Sequence, residues 1–271
     1  MIDYLIDSHC HIQSIGLDDD PTGLLWSSKG SLSQPAVIKA SLQKGVKIMI
    51  VVGCTLKDSS LAIQLANDYS CVLPAIGIHP HEAINFLSLD QFKQFEDLID
   101  DSVIAIGECG LDYFYNYSDL SLQKKLLIWQ LQLAKKYKLP LIFHVRQAFS
   151  DFWSIIKDFL PLKAVIHSFT DDKKNLFQAI DNDFMVGING IATFMKSSQE
   201  IEMLKAIPLD HLILETDSPY LTPVPYRGTI NIPKNVFYIT EYLSNLRQEN
   251  FDLIRHQTSF NAIKLFNLKG V

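Results

Sequence analysis

No stretch of this 271-residue chain holds the roughly 18 consecutive apolar residues of a membrane helix, and the longest candidate lies only around Ile48 to Val52. A helical membrane protein is excluded. The first seven residues lack a basic segment and carry Asp3 and Asp7, so they read as a strand rather than a secretion signal. Cysteine is scarce: Cys10, Cys54, Cys71 and Cys109 form no C-x-x-C pair, which excludes a disulfide framework and a thiolate zinc site and makes a reducing cytoplasm the expected location. Positive charge is also short. Lys and Arg number 24 against 30 Asp and Glu, a net charge of −6, so no broad basic surface can hold duplex DNA. A nucleic-acid substrate would have to be captured locally, by bound cations and a few placed arginines. Nor is there a linker or low-complexity tract. With 48% hydrophobic and 20% charged residues, one globular domain is expected over 1–271.

Short Val- and Ile-rich runs alternate with segments of helical periodicity, at 4–7, 46–52, 72–78, 103–108, 141–144, 164–167, 184–188 and 212–215. Each run is continuously apolar, as a parallel strand buried on both faces should be. The segment 88–101 is expected to be helical, with a capping box of Ser88 and Gln91 and an apolar stripe of Leu89, Phe92, Phe95, Leu98 and Ile99. The segment 120–138 reads as a second helix. A proline-rich loop, 219–233, follows the last run, and two helical stretches then end near Leu268. Eight βα units in one domain predict a closed (β/α)8 TIM barrel over an open doubly wound sheet.

In such a barrel the functional site lies at the C-terminal ends of the strands. Six of the eight histidines fall there. The first strand runs into Asp7, His9 and His11, which alternation places on one face with Cys10 pointing away. Later strands end in His79 and His81, Glu108, His144 and Arg146, His167, and Glu215-Thr216-Asp217. Imidazoles and carboxylates gathered at one mouth would be costly to desolvate without a cation. The oxygen and nitrogen donor set suits Zn²⁺, Mn²⁺ or Mg²⁺, and the two oxygens of Glu108 can bridge two ions, so two divalent metals are expected.

The runs Asp7-Ser8-His9-Cys10-His11, Gly77-Ile78-His79-Pro80-His81, Gly107-Glu108-Cys109-Gly110-Leu111-Asp112-Tyr113, His144-Val145-Arg146, His167-Ser168-Phe169 and Glu215-Thr216-Asp217-Ser218-Pro219-Tyr220-Leu221 resemble those of TatD-family deoxyribonucleases. The resemblance extends to Asn261-Ala262-Ile263-Lys264-Leu265-Phe266. It implies a metallo-dependent hydrolase that cleaves phosphodiester bonds of DNA, as an exonuclease on single strands or 3′ ends. It also implies one metal on His9, His11, Glu108 and Asp217 and a second on Glu108, His144 and His167. Two segments depart from the family pattern: Thr170-Asp171-Asp172, which adds carboxylates near the mouth, and Thr229-Ile230-Asn231-Ile232-Pro233, which loses basic residues after Arg227.

Asp217 is the expected general base, Asp7 is expected to orient an imidazole, and His79, Arg146 and Arg227 are the expected substrate contacts. Arg146 shares a strand face with His144, which aims its guanidinium at a phosphate; the alternative is a structural ion pair. The run Asp112-Tyr113-Phe114-Tyr115-Asn116-Tyr117 either stacks on unpaired bases or packs a loop onto the rim. His211 and His256 read as structural. The same centre could instead hydrolyse another ester or amide, such as an aminoacyl-tRNA ester. A cyclic-amide hydrolase or deaminase fits less well, since many of these bridge their metals with a modified lysine. An inactive binding barrel would lack a ligand, and none of the six is missing.

Overall fold

The computed structural model describes every residue except Lys29, Ser31, Leu87, Asn116 and Val271. Eight parallel strands follow one another around a nearly closed barrel in chain order: β1 (Leu5–Cys10), β2 (Val46–Val52), β3 (Val72–Ile76), β4 (Ala105–Asp112), β5 (Leu141–Arg146), β6 (Ala164–Ile166), β7 (Met185–Ile188) and β8 (Leu212–Leu214). The helices are α1 (Pro21–Ser27), α2 (Gln34–Gln43), α3 (Leu56–Asp68), α4 (Leu89–Glu96), α5 (Leu120–Tyr137), α6 (Phe149–Ile156), α7 (Lys173–Asp181), α8 (Ser198–Ala206), α9 (Val236–Arg247) and α10 (Phe251–Phe266). Among the described residues no helix is long and apolar enough to cross a membrane.

The strands differ from expectation chiefly at their C-terminal ends. β4 continues past Glu108 because Leu111 and Asp112 pair with Val145 and Arg146 of β5, while β3 stops short of the expected 78. The expected helix at 88–101 is shorter than its periodicity. Its capping box of Ser88 and Gln91 is present. Beyond Glu96, however, the amides of Leu98 and Ile99 turn back three residues, to Phe95 and Glu96, so the tightened chain leaves the α-helical ladder. Leu89 is also exposed rather than part of the apolar stripe.

Why both faces of every strand are apolar is visible in the core. Ile6, Ile50, Ala75, Ala105, Ile142, Val165, Met185 and Ile213, one from each strand, fill the barrel interior, and Ala262, Leu265 and Phe266 of α10 pack against them. Their neighbours in sequence, among them Leu5, Met49, Phe143 and Leu212, join an outer cluster with Leu127, Leu131, Phe152 and Ile239 of the helices. Counting by twos from Ile6 or Ala105 would aim Cys10 and Cys109 inward. Both cysteines instead belong to the outer cluster, because the pairing register slips between Asp7 and Cys10 and between Ile106 and Cys109. One extra residue flips everything beyond it to the other face, so the mouth receives His9, His11 and Glu108.

Among the described residues β1 and β8 share no ladder, and the seam between them is closed near the mouth. Cys10 bridges to Ser218, the His11 amide donates to the Ser218 carbonyl at 2.8 Å, and the Asp217 amide donates to the His9 carbonyl at 2.8 Å. Asp217 adopts φ 57°, a left-handed conformation costly for most side chains, as does Ser168 after β6 at φ 50°. The seam of the barrel and the approach of Asp217 to the histidines are thus one structure.

Candidate metal centre

Glu108 stands at the middle of the mouth, 4% exposed. Its Oε1 lies 2.8 Å from His144 Nδ1 and 2.9 Å from His167 Nε2. Its Oε2 faces the other way, 3.4 Å from His9 Nε2, and the Cys54 thiol points at the same oxygen from 3.7 Å. On that second side His9 Nε2 and His11 Nε2 are 3.2 Å apart, and Asp217 Oδ1 lies 3.3 Å from His11 Nε2 and 3.8 Å from His9 Nε2. His9 and His167, from opposite halves, stack with ring centroids 4.0 Å apart. The structure therefore brings all six expected ligands together, in two groups that share one carboxylate.

This arrangement fits divalent ions. Ligand atoms held at about 2.0–2.2 Å from one ion lie roughly 3 to 3.5 Å from each other, and the distances given above, 3.2 to 3.8 Å in the first group and 2.8 and 2.9 Å in the second, bracket that separation. Charge points the same way. Burial alone would raise the Glu108 carboxyl, but the charge on His167 and hydrogen bonds from His144, His167 and His9 hold it well below the usual range. Burial likewise opposes ionisation of Asp217, and His11 together with the charges on His167 and His9 brings it below its ordinary value. The compensating protons sit on the imidazoles. Against the effect of burial, Asp217 and Glu108 lift His11 to about 9, while carboxylates also raise His144 and His167. Without metal, protonated imidazoles supply the positive charge that bound cations would supply.

A ring of further groups aims these ligands. His11 Nδ1 meets the Val52 carbonyl at 2.8 Å, leaving Nε2 to face inward. Asp112 Oδ2 lies 3.0 Å from His144 Nε2 and Glu215 Oε1 lies 3.3 Å from His167 Nδ1, so two imidazoles are each backed by a carboxylate. Glu215 also accepts the Ser168 amide at 2.6 Å, and Gly187 gives it room, since a Cβ there would come within 2.6 Å of Oε2. Sequence reasoning assigned Asp112 and Glu215 no role, although Glu215 lies two residues beyond interior Ile213. Asp112 was masked by the underestimated length of β4.

Asp7 requires a correction. The register slip separates it from His9, and its carboxylate accepts the backbone amides of His9 at 3.3 Å and Thr216 at 2.8 Å and the Thr216 hydroxyl at 2.5 Å. It ties β1 to the segment after β8 and, among the described residues, bonds to no imidazole ring. His11, Cys54 and Asp58 form another close group, but both Asp58 oxygens are taken by Gln13, Ser14 and the Cys54 amide. That group is a structural knot.

His79 lines the mouth with Nε2 3.8 Å from Glu108 Oε1, and burial keeps its imidazole well below its ordinary pKa. His81 Nε2 lies 3.0 Å from Asp112 Oδ2. The two arginines sit on the rim and not inside. Arg146 is exposed, its guanidinium 3.9 Å from the Phe114 ring centre and 4.8 Å from that of Tyr115; it neither enters the centre nor pairs with a carboxylate among the described residues. Arg227 lies 3.7 Å over the Phe194 ring. Asn116, in the aromatic run, lies outside the described residues. His211 faces Asp210 and Asp183 before β8, and His256 accepts the Ile2 amide, both away from the mouth.

Known proteins agree with this architecture. The family model "TatD related DNase" matches residues 6–267. An uncharacterized metal-dependent hydrolase of Buchnera aphidicola is 33% identical, covering 98% of this chain and 100% of the relative. A protein of Erwinia tasmaniensis named 3′-5′ ssDNA/RNA exonuclease TatD is 35% identical, covering 90% and 97% of the two chains. The crystal structure of an Escherichia coli TatD homologue superposes with a TM-score of 0.86 at 28% identity, covering 99% and 100%. A match that runs through every strand and all six clustered residues leaves one assignment: the chain belongs to the TatD-related DNase family of metal-dependent hydrolases.

Proposed function

We propose that the protein hydrolyses phosphodiester bonds of single-stranded nucleic acid, acting from the 3′ end, at a centre of two divalent ions. The observation that carries this reading is Glu108, whose two oxygens face two separate sets of ligand atoms. His9, His11 and Asp217 would hold one ion with Glu108, and His144 and His167 the other. Zn²⁺, Mn²⁺ and Mg²⁺ all suit a set without thiolate. When bound, such ions polarise a phosphoryl oxygen and make water nucleophilic at neutral pH.

The chain's own groups do the rest. Asp217 meets the histidines through Oδ1, and its low pKa keeps the carboxylate ionised, so Oδ2 is available to take a proton from the attacking water. His79, kept neutral by burial, offers a hydrogen bond at the mouth without adding a like charge to the centre. Arg146 and Arg227 present guanidinium groups on the rim, where they can engage backbone phosphates flanking the scissile one. The Erwinia relative, named an exonuclease of single-stranded DNA and RNA, supports this choice of substrate over other esters.

The test is metal analysis of the purified protein together with digestion of end-labelled single-stranded and duplex oligonucleotides, with and without chelator. Two equivalents of divalent metal and chelator-sensitive release of nucleotides from 3′ ends are expected. Rapid hydrolysis of an aminoacyl or amide substrate with no cleavage of any oligonucleotide would overturn the reading.

A further inference from the structure

An acidic chain that cuts single strands needs a means of holding them other than a basic surface, and the loop after β4 offers one. Phe114, Tyr115 and Tyr117 are 49%, 39% and 63% exposed, so they do not serve to pack the loop onto the barrel. The rings of Tyr115 and Tyr117 lie parallel, with centroids 5.3 Å apart and planes 6° from each other. His81 braces both edge-on, at 5.5 and 4.9 Å. Arg146 lies against Phe114 and Tyr115 from another side and makes no ion pair among the described residues. The cluster is joined to the centre by short steps: His81 and His144 each lie 3.0 Å from the same oxygen of Asp112, and His144 reaches Glu108.

We infer that Tyr115, Tyr117 and Arg146 form a stacking platform for unpaired bases beside the scissile phosphodiester. The inference rests on the nuclease reading and adds to it the basis of strand selection. Stacking is tolerant of sequence because every base has a π-face, and it is available only to bases not already covered by duplex neighbours. The two tyrosines, already parallel, extend their stack outward through Tyr117, the more exposed ring. Arg146 supplies the local positive charge that the net charge of −6 denies the rest of the surface. Its guanidinium lies over two aromatic rings, a placement that would leave hydrogen-bonding groups for a phosphate.

The experiment compares kcat and KM of the metal-loaded enzyme on a short oligothymidylate and on a strand of the same length built from tetrahydrofuran abasic units. Wild type should favour the base-bearing strand. In the double variant Tyr115→Ala/Tyr117→Ala that preference should shrink by about tenfold or more, through KM rather than kcat. Tyr115→Phe/Tyr117→Phe should restore it, since the rings and not the hydroxyls stack. Should the double alanine variant lose its fold by circular dichroism, the single change Tyr117→Ala carries the same comparison at the more exposed ring. An unchanged preference in a folded alanine variant that still cuts oligothymidylate overturns the platform and leaves the nuclease reading standing. Failure of wild type to bind or cut either strand overturns both.

Discussion

His144 is held between two carboxylates, with Nδ1 2.8 Å from Glu108 and Nε2 3.0 Å from Asp112. A hydrogen on Nε2 donated to Asp112 leaves the Nδ1 lone pair for the centre, so Asp112 selects the tautomer that can ligate. The other Asp112 oxygen accepts the amides of Phe114 and Tyr115 at 2.9 and 3.0 Å.

Asp112→Asn should therefore spare the loop and spoil the ligand. Asparagine keeps the oxygen that caps the two amides, but turns an NH₂ toward His144 Nε2, which then favours the tautomer with its proton toward Glu108. Metal affinity is expected to fall about 10- to 100-fold with little change in melting temperature. Titration of metal-free wild type and variant by calorimetry checks this, and equal affinities would remove Asp112 from the site.

Glu108→Gln probes the shared carboxylate. A neutral amide cannot divide a negative charge between two cations, and it would present a donor to one of the two ligand groups. The ratio of bound metal to protein should drop, and turnover with it. An unaltered ratio by elemental analysis would show that the centre does not depend on bridging by Glu108.

Protons and metal compete for the same nitrogens, which gives a pH dependence of defined sign. His11 is raised to about 9 and His144 and His167 are raised as well, so in metal-free protein these rings carry protons that metal must displace. Apparent metal affinity should climb from pH ~6.5 to pH ~9, by up to about tenfold per pH unit for each proton released. The metal-free fold should show the opposite trend. A histidine with a raised pKa stabilises the folded state fully below its unfolded value near 6.5, and that contribution is lost as pH rises through the folded value. Thermal unfolding in chelator should thus give a lower melting temperature at pH ~9 than at pH ~6.5; a flat or rising profile would contradict these ion pairs.

The six residues gathered at the mouth were legible in the sequence because they are polar residues ending apolar runs. Their supports were less so, since the features that place them are not periodic. The slips at Asp7–Cys10 and Ile106–Cys109 have no composition signal, yet they decide that His9 and Glu108 face inward and that Asp7 does not. The rim position of Arg146 has a related reason: strand alternation gives the direction of its Cβ, but a long side chain on the last residue of β5 follows its best contact, here the rings of Phe114 and Tyr115.

Asp217 allows metal binding and proton transfer to be separated. Its backbone sits at φ 57° and its amide closes the barrel onto the His9 carbonyl, so a replacement must tolerate the left-handed region. Asparagine does so better than other residues. It also keeps an oxygen that can face His11, while the proton acceptor is lost. Asp217→Asn should hence retain its fold and part of its metal, and lose at least about a hundredfold in kcat even at saturating metal, the scale of a general-base contribution. His211→Ala is the control. His211 precedes the same strand at the opposite end of the barrel, where it faces Asp210 and Asp183, and its loss should leave kcat near wild type. A barrel whose chemistry lies at the C-terminal ends of its strands must be sensitive at the first position and tolerant at the second. Near-normal turnover of metal-saturated Asp217→Asn would remove Asp217 as the base, and a larger loss in folded His211→Ala would move the site to the other end of the barrel.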